Sequence, residues 1–252
     1  MVTEGILPPS WLAPTAARHI VAGRFGERTR VGTNQKGFPL RQAIVIVAGL
    51  VLLVVSGLLV QDPPAAWEES VFRSLNELPH DIEPVLWALQ QMGSALVMPF
   101  AAIVLWRVTR RWQPPVALLV TGFLLGWVGA KGIKAMVGRG RPGAIFDDVF
   151  LGFDVPTAEI GFPSGHGVLA FTLLAIFVPY LSKRGRIVAL AVAIGVGLTR
   201  VYVGAHFPLD VIGGAGYGVA IGTLATLLSR PGLGAGLVGS WTVRARSDTE
   251  ER

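Results

Sequence analysis

Four stretches of this chain carry no charged residue: Gln42 to Gln61, Pro84 to Trp106, Trp112 to Ala130 and Val211 to Ser229. Each comes close to the roughly 20 apolar residues an α-helix needs to cross a hydrocarbon layer. A backbone inside hydrocarbon must satisfy its own N–H and C=O groups, so runs of this kind dictate helices. Two further segments read the same way but are polar at one end: Ser164 to Leu181, led by His166, and Ile187 to Val203, which carries Arg200. The expectation is an all-α integral membrane protein, a six-transmembrane-helix bundle over residues 41–230, with the fifth span the shortest. Composition agrees, since 52% of the 252 residues are hydrophobic and 15% charged, with a mean hydropathy of +0.56. That is too apolar for one water-soluble core.

The flanks are different. Residues 1–40 are rich in Gly, Pro and Arg without apolar periodicity, and "VRARSDTEER" closes the chain, so both tails (1–40 and 231–252) are expected to be cytoplasmic and disordered. The first span follows the polar tail and is longer than the 7 to 15 residue core of a signal peptide, which makes it a retained anchor. No cysteine occurs, which removes disulfides, thiolate nucleophiles and cysteine metal sites from consideration.

With the N-terminus placed inside, the cytoplasmic Lys and Arg are six up to Arg41, three in "RVTRR", three in "KRGR" and four from Arg230 onward, 16 of the 22 in all. Only five of the 16 acids fall on that side. This bias sets both termini in the cytoplasm, in a plasma (inner) membrane, and explains the net charge of +6 without nucleic acid. Between the first two spans, "WEESVFRSLNELPH" puts Trp67, Val71, Phe72, Leu75 and Leu78 on one helical face with the acids elsewhere. That suits a short helix on the outer interface, or equally a packed loop helix. Glycines in "GVGLTR" and "GGAGYGVAIG" let helices approach closely.

The outer side keeps only Arg73, Lys131, Lys134, Arg139, Arg141 and Arg200 as basic residues, five of them at the outer ends of spans three and five. Cations at the edge of apolar segments are costly, and an anionic ligand is the simplest compensation. Lys134 and Arg141 flank a glycine-broken helix end in "KAMVGRGRPG". In "GFPSGHG", Ser164 reads as the N-cap of an apolar helix, with Gly165 and His166 at its mouth. In "TRVYVGAHFPLD", Asp210 follows His206 by four residues, within one helical turn. It either accepts a proton from one imidazole nitrogen and leaves the other free, or simply stabilises a helix start. Singly, each feature has an ordinary explanation in capping or snorkelling. Together they supply charge neutralisation, a nucleophile and an acid, the parts that phosphoryl transfer needs.

"KAMVGRGRP", "PSGH" and "TRVYVGAHFPLD" resemble, in order, the three signature motifs of the type-2 phosphatidic-acid phosphatase superfamily, which also includes the vanadium-dependent haloperoxidases. The motifs span residues 134–210. The resemblance implies that His206 attacks phosphorus to form a phosphohistidine, that Asp210 orients it, and that His166 protonates the leaving oxygen and later activates water. It also implies that Lys134, Arg141, Arg200, Ser164 and the Gly165 N–H hold the phosphate, with no metal and no cofactor. Thr199 stands where the family usually has Ser, and both carry a hydroxyl.

The substrate expected is a phosphorylated membrane lipid at the outer face: undecaprenyl diphosphate, phosphatidylglycerol phosphate or phosphatidic acid. Lys131 and Arg139 lie outside the motifs; contact with a second phosphate would favour the diphosphate, and snorkelling is the competing reading. No protein partner is inferred. A non-enzymatic carrier or flippase for phosphorylated lipid is the alternative, needing the cations but not the His206/Asp210 pair.

Overall fold

The computed structural model describes residues 40–156 and 160–230. Both tails lie outside the described residues, except that Leu40 already begins the first helix. Among the described residues the regular elements are all helical: α1 (Leu40–Leu59), α2 (Ala66–Asn76), α3 (Glu83–Gln90), α4 (Val97–Thr109) and α5 (Gln113–Thr121), then α6 (Ala130–Val137), the single turn α7 (Pro142–Ile145), α8 (Gly165–Phe177), α9 (Lys183–Tyr202) and α10 (Pro208–Leu228). A π-helical stretch, Gly122–Gly129, joins α5 to α6.

Among the described residues, four segments are long and apolar enough to cross a membrane: α1, Gln113–Ile145, α9 and α10. The pair His80–Gly93 and Val97–Thr109, bent by 59° at a short break, makes a fifth if it acts as one span. The fourth expected span, Gly165–Tyr180, is helical and apolar but shorter. All six expected positions are thus helical, and length supports four to five crossings. The shortest is the fourth, not the fifth as the charges suggested. Ser182 N-caps α9, accepting a hydrogen bond from the Gly185 N–H at 3.2 Å, so Lys183, Arg184 and Arg186 lie inside a helix of 20 residues and not in a loop. By contrast α8 starts at the buried Ser164 and passes into a tighter turn at Val178–Tyr180.

The outward surface is that of a protein immersed in lipid. Over its whole length α1 buries only Gly49 and Ser56, while Leu58 is 80% exposed. In water such a girdle would be an aggregation surface, whereas in a bilayer it is solvated. At the centre α10 packs against both α1 and α8. A Cβ on Gly214 would stand 2.7 Å from the Ser164 carbonyl oxygen, so only glycine lets α10 come this near the start of α8. The approach brings two of the three polar motifs together.

The helix between the first two spans forms as expected, at Ala66–Asn76, but its buried face is different. Glu68, Phe72 and Asn76, spaced by four, point inward, whereas Trp67 and Val71 are exposed. Phe72 packs edge-on against Phe207 with ring centroids 5.1 Å apart, and Asn76 donates to the Phe150 and Tyr202 carbonyls at 2.8 Å each. The packed-helix reading describes α2, and an acid occupies its inner face.

Candidate active site

The turn between α9 and α10 places His206. Gly204 has φ +70, and a Cβ there would strike the Phe150 carbonyl oxygen, so both backbone and space demand glycine. The chain folds back on itself, the N–H groups of Ala205 and His206 both donating to the Arg200 carbonyl at 3.1 Å, before Pro208 opens α10. Asp210 accepts from the Phe207 N–H through Oδ2 at 3.0 Å, and the same oxygen lies 3.4 Å from His206 Nδ1. Asp210 therefore both caps the helix and faces the imidazole. Burial, and then the positive charges of Arg141, Lys134 and Arg200, hold the His206 imidazole well below its ordinary pKa.

Backbone hydrogen bonds stitch the other motifs to this turn. The Ser164 N–H donates to the Asp210 carbonyl at 2.9 Å, and the Gly161 N–H to the Arg139 carbonyl at 2.7 Å. Lys134 Nζ donates to the carbonyls of Ile160 and Gly161 at 2.8 Å each. Arg141 Nη1 reaches the Ala205 carbonyl at 3.0 Å. Ser164 caps α8 as expected, its hydroxyl accepting from the Gly167 N–H at 3.4 Å. Arg200, in the last turn of α9, donates through Nη1 to the side-chain oxygen of the buried Gln90.

A cavity of about 580 Å³ opens in front of His206. Of the eight residues singled out in the sequence, six line it: Lys134, Arg141, Gly165, His166, Arg200 and His206. Ser164 and Asp210 stand behind this layer, both fully buried. The apolar wall comes from the α3–α4 break (Gly93, Ala95) and the π-helical stretch (Gly126, Trp127). π-Helical turns are rare and tend to occur at functional sites. Lys131 also lines the cavity, its Nζ 3.9 Å above the Trp127 ring.

Arg139 contradicts both of its sequence readings. It neither snorkels nor faces the cavity. Its side chain is fully buried and bonded to Glu68 Oε2 at 2.6 Å, Glu68 Oε1 at 3.0 Å and Asp210 Oδ1 at 2.9 Å. Sequence reasoning also passed over Glu68, Gln90 and Asp154, which lines the cavity and accepts from Trp87 Nε1 at 2.9 Å. The available signals were the Glu68/Phe72/Asn76 spacing and a glutamine inside a charge-free span.

The PAP2 superfamily model matches residues 110–231. Over 105 residues the chain is 38% identical to the lipid A 1-phosphatase of Rhizobium etli, covering 40% of this chain and 45% of that one. It therefore spans less than half of that relative's length. Over 156 residues it is 31% identical to phosphatidylglycerophosphatase B of Bacillus subtilis, covering 56% of this chain and 71% of that one. Among solved structures, Aquifex aeolicus LpxE is similar with a TM-score of 0.57 and 26% identity, over 64% of this chain and 95% of that one.

Proposed function

The chain belongs to the PAP2 superfamily, and on that premise we propose that it removes a terminal phosphate from a phosphorylated membrane lipid through a phosphohistidine on His206. The observation that carries this reading is a buried His206 at the wall of a cation-lined cavity with the Asp210 carboxylate 3.4 Å behind its Nδ1. Asp210 holds the proton on Nδ1 and leaves Nε2 as the nucleophile.

In the first step Nε2 forms a bond to phosphorus as the bond from phosphorus to the lipid oxygen breaks, and His166 gives that oxygen its proton. In the second, His166 takes a proton from water, the resulting oxygen attacks phosphorus, the N–P bond breaks and inorganic phosphate leaves. Lys134, Arg141, Arg200 and the Gly165 N–H neutralise the equatorial oxygens, with Ser164 fixing the helix start that presents that N–H. The same cations make a metal unnecessary in this scheme.

Undecaprenyl diphosphate, phosphatidylglycerol phosphate and phosphatidic acid all present a terminal phosphate on an amphiphile. The name of the Rhizobium relative adds the 1-phosphate of lipid A to this set. The 16 of 22 basic residues assigned to the cytoplasmic side favour a site on the outer face of the inner membrane. A membrane-impermeant thiol label on intact cells should then reach a cysteine placed at Ala144 and miss one at Gln113; the reverse pattern moves the site to the inner leaflet.

The deciding experiment is phosphate release by purified protein in detergent from each of these lipids, with and without chelator. Release from at least one, unchanged by chelator and abolished in His206→Ala, is expected. Undiminished release by His206→Ala removes the mechanism, and lipid binding without release by the wild type favours a carrier.

A further inference from the structure

Behind Asp210 lies a second layer of charge that the phosphatase chemistry described so far does not use. Arg139 Nη1 bridges two carboxylates, Glu68 Oε1 at 3.0 Å and Asp210 Oδ1 at 2.9 Å, while Nη2 bonds Glu68 Oε2 at 2.6 Å. Glu68 Oε1 also accepts the Leu209 N–H at 2.9 Å, in the first turn of α10. The guanidinium carbon sits 4.4 Å above the Phe207 ring. The side chains of Glu68, Arg139 and Asp210 are all fully buried. We propose that Glu68, on the loop helix α2, is a positioning residue for the reaction: through Arg139 it fixes Asp210 against His206 and keeps the carboxylate's charge available to the imidazole.

The argument is one of charge balance. A buried arginine paired with Asp210 alone would cancel its charge and leave nothing to stabilise a cationic ring. A second carboxylate on the far side of the guanidinium restores one net negative charge to the cluster. His206 needs it, because as Nε2 bonds to phosphorus the ring gains positive charge while Nδ1–H still points at Asp210 Oδ2. Among the described residues, the positive groups near His206 oppose this: Lys134 and Arg141 from the Gln113–Ile145 segment, Arg200 from α9, and His166 when protonated on α8. Asp154 is a further acid lining the cavity. The direct carboxylate and the one relayed through Arg139 are the local counterweight. Glu68 also clamps the backbone of the helix that carries Asp210, so geometry and charge are set by the same side chain.

This inference rests on His206 as the nucleophile, and its test separates the two. The acid limb of kcat/KM against pH is measured for the wild type, Glu68→Gln and Arg139→Gln, with phosphatidic acid in detergent micelles. Substrate ionisation is common to all three and cancels in the differences. Glu68→Gln removes a negative charge, disfavours the protonated ring, and should move the limb down by about one pH unit. Its plateau should fall roughly tenfold, because a less basic nitrogen is a weaker nucleophile. Arg139→Gln removes a positive charge and should move the limb up. A purely structural role lowers the plateau in both without moving either limb. Unmoved limbs, or limbs moving in the same direction, overturn the proposal. Should neither single variant fold, Glu68→Gln/Arg139→Gln removes the charges as a pair: the wild-type limb with a lower plateau is expected, and a limb displaced by a unit overturns the proposal. A wild type inactive on every lipid fails the phosphatase reading itself, whereas an active wild type with unmoved limbs fails only this inference.

Discussion

Arg139 and Arg141 stand two residues apart in "GRGRP", and both are buried, yet they do opposite work. Arg141 lines the cavity and donates to the Ala205 carbonyl. Arg139 faces away, locked between Glu68 and Asp210. A buried ion pair is weak evidence of stabilisation, because desolvation offsets the Coulomb gain. Removing one partner is a different matter, since it strands the other charge. The comparison shows that the direction in which the fold turns the side chain, not residue type or position in a motif, separates an arginine of the cavity wall from one locked behind it.

The largest effects should come from exchanging the roles. Arg141→Ala should lower kcat/KM by about 10²- to 10³-fold, the loss typical of one transition-state donor. Arg139→Ala should show its damage in stability, by about 3–5 kcal/mol, because Glu68 and Asp210 then face each other without a cation. If Arg139→Ala is well folded and merely slow, or Arg141→Ala keeps full activity, the division between the two arginines is wrong. Arg141→Lys keeps the charge but loses the planar fork, so a smaller loss of roughly tenfold is expected in the same assay.

A finer effect distinguishes the two histidines. If His166 protonates the leaving oxygen, His166→Ala should be severe on a lipid monoester, whose alcohol is strongly basic, and much milder on an aryl phosphate. Equal losses on both substrates would make His166 a phosphate-positioning group.

Much of this was legible in the sequence, for identifiable reasons. Absence of charge marks helices in lipid, and all six expected positions are helical, but the third runs on to Ile145 and the second is a pair of helices bent by 59°. The boundary of α9 was misjudged because charge was taken to end a helix, whereas Ser182 starts it ahead of Lys183 and Arg184. The cavity residues were found because each is a polar group where apolar residues were expected. Glu68 could not be found that way, and Arg139, noticed as an outer cation, could not be paired with it. An acid on a loop helix and an arginine beside a membrane each look ordinary alone, and only the fold brings residues 71 positions apart to 2.6 Å. Gln90, a glutamine inside a charge-free span, could not be paired for the same reason, since its partner Arg200 lies on another helix.

The measurement closest to the central claim is direct capture of the phosphorylated enzyme. Protein mixed with lipid labelled in its terminal phosphate and quenched in alkali within one turnover should carry label on His206, as a phosphoramidate stable to base and lost in acid, and His206→Ala should carry none. Turnover without any labelled protein, or label on a residue other than His206, would contradict the account.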